Sequence, residues 1–118
     1  MSESKFTSRP VGIDDLSLYV PSLFLPISDL AEARGIEPAK LEKGLGLTTM
    51  AVPDASEDVV TMAAEALIDI VEKNNLSPED IGRIYVGTES MVDSSKPIAS
   101  YLQGILYQYF DKKQIAAD

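Results

Sequence analysis

The chemistry of this chain falls to its carboxylates, because its 118 residues include no cysteine and no histidine. That excludes thiolate nucleophiles, imidazole acid/base pairs, disulfides and zinc sites built from those ligands. One carboxylate stands apart by its position. Glu89 lies in Ile84-Tyr85-Val86-Gly87-Thr88-Glu89-Ser90, where an apolar run and a glycine precede a glutamate flanked by two hydroxyls. Such a run reads as a strand buried on both faces, as in a parallel sheet under helices. Gly87 is expected to turn the backbone tightly and leave Glu89 just past the strand's C-terminal end, the edge where open α/β sheets hold ligands. There a carboxylate works as a general acid or base, its pKa raised by partial burial. The plainer use is to cap the following helix or to accept from backbone amides.

Other groupings offer less. Asp58, Glu65, Asp69 and Glu72 are spaced along one stretch, but with no histidine or paired motif they read as a solvated helix face and no metal site is assigned. Gly44-Leu45-Gly46-Leu47-Thr48-Thr49 has the glycines of a phosphate loop without its third glycine or its Lys-Ser/Thr ending. Arg34, Lys40 and Lys43 form a modest cationic cluster whose default use is solubility. Tyr101, Tyr107 and Tyr109 recur at helical intervals and suit core or subunit contact.

Composition limits the partners. The net charge is −9, from 10 basic and 19 acidic residues, which gives phosphate backbones and anionic lipid little to bind. Neither a nucleic-acid nor a membrane partner is therefore expected. Residues 1–10 are polar and lack the apolar core of a signal peptide, so they read as a disordered or tag-like terminus and the protein as cytoplasmic. At 45% hydrophobic, the remainder suits a single globular domain.

The elements that must position Glu89 follow from spacing. Leu16, Leu18 and Val20 alternate within 12–20, which reads as a strand stopped by Pro21. Pro26 and Ser28 are expected to open a short helix with Ser28 as its N-cap and Gly35 past its end. A second short helix fits 38–43, with a flexible Gly44-Leu45-Gly46 connection and a short strand over 48–52. The best-defined helix is expected over 56–73, with Asp54 and Glu57 as its capping box and a broad apolar stripe from Val59 to Val71. One helical turn at Ser77-Pro78-Glu79-Asp80 precedes the strand at 83–87, and a last helix starts near 93–97 with Ile98, Leu102, Ile105, Leu106 and Tyr109 on one face. Strand 12–20, helix 56–73 and strand 83–87 make a βαβ-like unit. Two or three strands are too few for an independent sheet, so the chain reads as part of a larger domain.

These residues also resemble a known family. Tyr19-Val20-Pro21, Asp29 to Arg34, Gly44-Leu45-Gly46, Met50-Ala51-Val52 and Asn74 to Arg83 look like the N-terminal region of hydroxymethylglutaryl-CoA synthase. Val86-Gly87-Thr88-Glu89-Ser90-Met91-Val92-Asp93-Ser94-Ser95-Lys96 is similar to the stretch around that family's catalytic glutamate. The resemblance implies that 11–118 is the N-terminal part of a thiolase-like fold, layered α-β-α-β-α, with its central sheet incomplete. It implies an acyltransferase that condenses acetyl-CoA with acetoacetyl-CoA to HMG-CoA on the mevalonate route to isoprenoids. Glu89 takes the place of the general acid/base, and Glu37 and Pro38 match a loop that contacts substrate. No cofactor beyond the CoA thioesters is implied. The family's nucleophilic cysteine and its histidine are absent here, so these residues alone are expected to be inactive. A homodimer or a complementary C-terminal chain is the implied partner. Two other readings stay open: a non-catalytic subunit that completes a thiolase-like partner, and a related enzyme acting on carrier-protein substrates.

Overall fold

The computed structural model describes residues 10–115, so the terminus expected to be disordered or tag-like lies, but for Pro10, outside the described residues. The first group of elements is β1 (Leu23–Pro26), α1 (Ile27–Arg34), α2 (Pro38–Leu45) and β2 (Thr49–Val52). β1 and β2 pair antiparallel, with Leu23 opposite Val52 and Pro26 opposite Thr49. The pairing carries one step further, where the Ile27 N–H donates to the Thr48 carbonyl at 3.0 Å. Ile27 and Ala31 of α1 are buried.

β1 was not expected from sequence. Leu23-Phe24-Leu25 is three residues between prolines, and its partner sits more than twenty positions later, so no local pattern marks it. Helix α1 begins at Ile27 rather than after a Ser28 cap, and the Ser28 hydroxyl donates instead to Asp29 at 3.1 Å. Its C-terminus is as expected: Gly35 takes the left-handed conformation at φ 62°, and the Ile36 N–H donates to the Ala31 carbonyl at 2.9 Å. Gly44 and Leu45 are not a flexible connection but the last residues of α2, which Gly46 closes at φ 69°.

The second group is α3 (Val59–Lys73), a 3₁₀ turn at Pro78–Asp80 and α4 (Ile98–Ile115). α3 starts three residues later than expected because a different pair forms the capping box. The Thr61 N–H donates to the Asp58 carboxylate at 2.8 Å, and the Asp58 N–H donates to the Thr61 hydroxyl at 2.7 Å. Asp54 and Glu57 instead close a turn ahead of the helix, where the Asp54 N–H donates to Glu57 at 2.7 Å. The core between the helices is Val60 and Ala64 from α3 with Ile98 and Leu102 from α4. The Tyr109 hydroxyl donates to Glu72 at 2.8 Å and ties α4 to α3 again.

Neither long-range strand of the expected βαβ unit is hydrogen-bonded into a sheet; the sheet that forms is the antiparallel β1–β2 pair. Both segments nonetheless keep the two-residue alternation of a strand. In 15–20, Asp15 and Ser17 are half-buried while Leu16, Leu18 and Val20 are 68%, 80% and 66% exposed. In 83–87, Ile84 and Val86 pack on the α3–α4 core while Tyr85 is 82% exposed. Strand 83–87 was expected to be buried on both faces; one face is covered and the other is bare. A strand needs a neighbour to complete its ladder, and among the described residues these two have none.

The chain as a whole is open in its dimensions. Its accessible surface is 9849 Å², against about 6,300 Å² for a folded monomer of this length. Its radius of gyration is 20.3 Å, where a compact chain of this length has about 13.5 Å. Among the described residues, no helix is long and apolar enough to cross a membrane.

Candidate functional site

Glu89 stands in the irregular segment between 83–87 and α4, at the base of which Ile84 and Val86 are anchored in the core. This anchoring fixes where the segment leaves the α3–α4 pair. Gly87 does not adopt a positive φ, and a side chain added there would meet nothing within 4 Å, so the tight turn expected of it is not what the backbone does. The turn comes from hydroxyl chemistry instead. The Ser90 N–H donates to the Thr88 hydroxyl at 3.0 Å and places Glu89 at the apex. Glu89 is exposed. The partial burial expected of it is not supplied by residues 10–115.

The polypeptide from Glu89 to α4 is held by Asp93, which the sequence marked only as the approach to a helix. Its carboxylate accepts from the Ser95 N–H at 2.7 Å and the Lys96 N–H at 3.3 Å, while the Tyr101 hydroxyl donates to its other oxygen at 3.4 Å. The bond from the Ser95 amide is the main cause that holds the Asp93 carboxyl below the usual carboxylate range, so it is ionised near neutrality. The Lys96 ammonium lies 3.9 Å from the centre of the Tyr101 ring, which seats its positive charge over an aromatic face. The signal for this arrangement was in the sequence as Asp-Ser-Ser, a pattern in which aspartate bonds the backbone two residues on.

Glu37 and Pro38 lie apart in the chain, at the N-terminus of α2, where Glu37 is the N-cap residue with extended backbone and Pro38 the first helical residue. Both are exposed, and the Glu37 side chain makes no capping bond. Among the described residues, no hydrogen bond or ion pair joins them to Glu89. Arg34, Lys40 and Lys43 are exposed as well. Three of the four spaced acids make hydrogen bonds within the chain: Asp58 caps α3, Asp69 accepts from Ser17 at 2.5 Å and Glu72 accepts from Tyr109. Of the three tyrosines, Tyr101 and Tyr109 reach acids and are half-buried, whereas Tyr107 is 77% exposed. A concavity of about 680 Å³ between 81–85 and α4 does not contain Glu89; it is lined by Ile81, Arg83, Tyr85, Gln103, Tyr107 and Phe110.

What the arrangement offers chemically is a carboxylate on a defined turn, beside a half-buried anchor, with no walls among the described residues to exclude water. Such a group can exchange protons but cannot by itself enclose a substrate.

Comparison with known proteins gives this geometry its context. The family model described as "Hydroxymethylglutaryl-coenzyme A synthase N terminal" matches residues 7–116. The chain is 44% identical over 102 residues to a hydroxymethylglutaryl-CoA synthase of Haloferax volcanii, a match covering 86% of this chain and 23% of that protein. It is 31% identical over 114 residues to the synthase of Saccharomyces cerevisiae, covering 97% of this chain and 23% of that one. Among solved structures it is similar to MvaS in complex with 3-hydroxy-3-methylglutaryl coenzyme A, with a TM-score of 0.71 and 47% identity over 81% of this chain and 23% of that one. It is also similar to an HMG-CoA synthase complexed with CoA, with a TM-score of 0.62 and 39% identity over 80% of this chain and 24% of that one. The chain thus spans about a quarter of the length of the proteins it matches. The architecture is the N-terminal portion of a thiolase-like fold with its sheet incomplete.

Proposed function

This chain belongs to the hydroxymethylglutaryl-CoA synthase family, and from that premise we propose that it serves as the N-terminal part of an acyltransferase condensing acetyl-CoA with acetoacetyl-CoA. The product would be HMG-CoA, on the mevalonate route to isoprenoids, formed in the cytoplasm. Residues 11–118 contribute the N-terminal part of the thiolase-like domain. The nucleophile that carries the acetyl group and the histidine that orients the second thioester come from polypeptide outside these residues, which contain neither residue type.

Glu89 is the general acid/base of carbon–carbon bond formation. It accepts a proton from the acetyl methyl group as that carbon attacks the ketone of acetoacetyl-CoA, and returns one to the oxygen that becomes the tertiary hydroxyl. The observation that carries this reading is the placement of Glu89 on a turn anchored by Ile84 and Val86, within the 7–116 span of the family match. Its exposure here fits a site whose other walls lie elsewhere in the complete enzyme, where their closure would exclude water from the carboxylate. Glu37 and Pro38, at the mouth of α2, contribute substrate contacts in the same assembly, which is a homodimer or is completed by a complementary chain.

The test is Glu89→Gln in the completed enzyme. Condensation should fall by about 10²-fold or more, while acetylation of the nucleophile proceeds. Unchanged condensation would remove Glu89 from the mechanism. In the same assembly, Glu37→Ala should raise KM for a thioester more than it lowers kcat.

The alternative, a non-catalytic subunit that completes a thiolase-like partner, has one observation in its favour: two strand-like segments here have no hydrogen-bonded strand partner among the described residues. Its signature is a stable complex in which Glu89→Gln leaves the partner's activity unaltered.

A further inference from the structure

Glu89 sits in a stretch that is pinned at both ends. Before it, Ile84 and Val86 pack on the α3–α4 core; after it, the Asp93 carboxylate accepts from the Ser95 and Lys96 amides. Between these pins, 87–92 is exposed throughout and belongs to no helix or strand. Among the described residues, the hydrogen bond that begins or ends inside this stretch runs from the Ser90 N–H to the Thr88 hydroxyl, at 3.0 Å. It spans Glu89, so the direction in which that carboxylate leaves the chain follows from it. Gly87 has no such influence, since its φ is not positive and a Cβ there has open space. Thr88 suits the task. A β-branched side chain keeps few χ1 rotamers, so its oxygen stays where the Ser90 amide meets it.

Resting on the reading of Glu89 as the acid/base, we propose that Thr88 is a positioning residue for the condensation step. Its hydroxyl oxygen accepts from the Ser90 N–H, closes the turn over Glu89 and aims the carboxylate at the reacting carbon. A general base works only within hydrogen-bond reach of the proton it takes. Displacing a catalytic group by about 1 Å costs about 10²-fold in rate. The same bond contributes little to folding, because an exposed amide that loses this acceptor bonds water instead. Geometry and stability are therefore separable at this position. Thr88 acts through Glu89 and touches no reacting atom.

The experiment compares variants of the completed enzyme. Thr88→Val keeps the branched shape and removes the acceptor, whereas Thr88→Ser keeps the acceptor. Thr88→Val should lower kcat for condensation by at least about tenfold. KM for acetoacetyl-CoA, acetylation of the nucleophile and the melting temperature should be unchanged. Amide exchange across 88–91, read by mass spectrometry, should quicken several-fold. Thr88→Ser should hold condensation within about threefold of the unaltered enzyme. Added to Glu89→Gln, Thr88→Val should lower the rate no further, because its effect passes through that carboxylate. Thr88→Ala, which also removes the acceptor, decides the matter if the valine variant melts lower. Full condensation without the acceptor overturns the proposal, as does an equal loss in Thr88→Ser or a further loss in the double variant. Each of these leaves the Glu89 reading standing when Glu89→Gln alone is defective. A fully active Glu89→Gln overturns both.

Discussion

The Lys73 ammonium donates to the Asp15 carboxylate at 2.7 Å, joining residues 58 apart in sequence. Asn74 donates to the other oxygen of the same carboxylate at 2.7 Å. Further along the segment, Ser17 donates to Asp69 and Tyr19 to Glu57. The unpaired stretch 15–20 is thereby strapped along α3 through its odd-numbered polar residues, and this is why its even-numbered apolar residues face outward.

That strap has a pH signature. The hydrogen bond from Lys73, and after it the one from Asn74, brings the Asp15 carboxyl from 3.8 down to about 2. A depressed carboxylate contributes its stabilisation in full above the unfolded value and loses it as pH falls through the folded one. The Asp15 carboxyl resonance should therefore titrate with a midpoint of about 2, and Lys73→Met should move it up toward 3.8. A midpoint near 3.8 in the unaltered chain would show that the ion pair does not form in solution.

Leu102 is 3% exposed and sits with Val60, Ala64 and Ile98 in the only core that holds Ile84 and Val86 among the described residues. Leu102→Ala should lower the unfolding free energy by about 2–4 kcal/mol. Tyr107→Ala, on the exposed side of the same helix, should change it by less than about 0.5 kcal/mol in the free chain. Urea denaturation followed by helical circular dichroism separates the two. Equal losses would mean that α4 packs differently.

Gly35 ends α1 at φ 62°, where a Cβ has open space but the backbone conformation disfavours it. Gly35→Ala should destabilise the β1–β2 group by about 1 kcal/mol, and Gly87→Ala, with no positive φ, should be close to neutral in the free chain. Thermal melts of the two variants check the contrast.

Asp93 holds the turn that leads from Glu89 to α4. Asp93→Ala should speed amide exchange at Ser95 and Lys96 several-fold, because both donors lose their acceptor. In the completed enzyme it should lower condensation through kcat while Glu89 is still in place. Unchanged exchange would mean that the backbone, not this carboxylate, holds the turn.

Much of this was legible from residue order. The apolar stripe of α3, the one-face spacing of Ile98, Leu102 and Leu106, the turn at Ser77-Pro78-Glu79-Asp80 and the Gly35 stop depend on neighbours within a few positions, and each is found. The alternation at 15–20 was also legible, whereas 84–86 reads as buried on both faces and is covered on one. The family match, too, could be read from short ordered pieces around Glu89.

What sequence left undecided was everything set by partners distant along the chain. Leu23-Phe24-Leu25 became a strand only because Thr49–Val52 reached it, while 83–87, which sequence marked as a strand, did not become one. A helix closes its hydrogen bonds within itself, so local spacing determines it. A strand's bonds belong to another segment, and whether that segment arrives is decided only in three dimensions. The same holds for Glu89: its type and position were fixed by the chain, but its exposure follows from which surfaces stand around it.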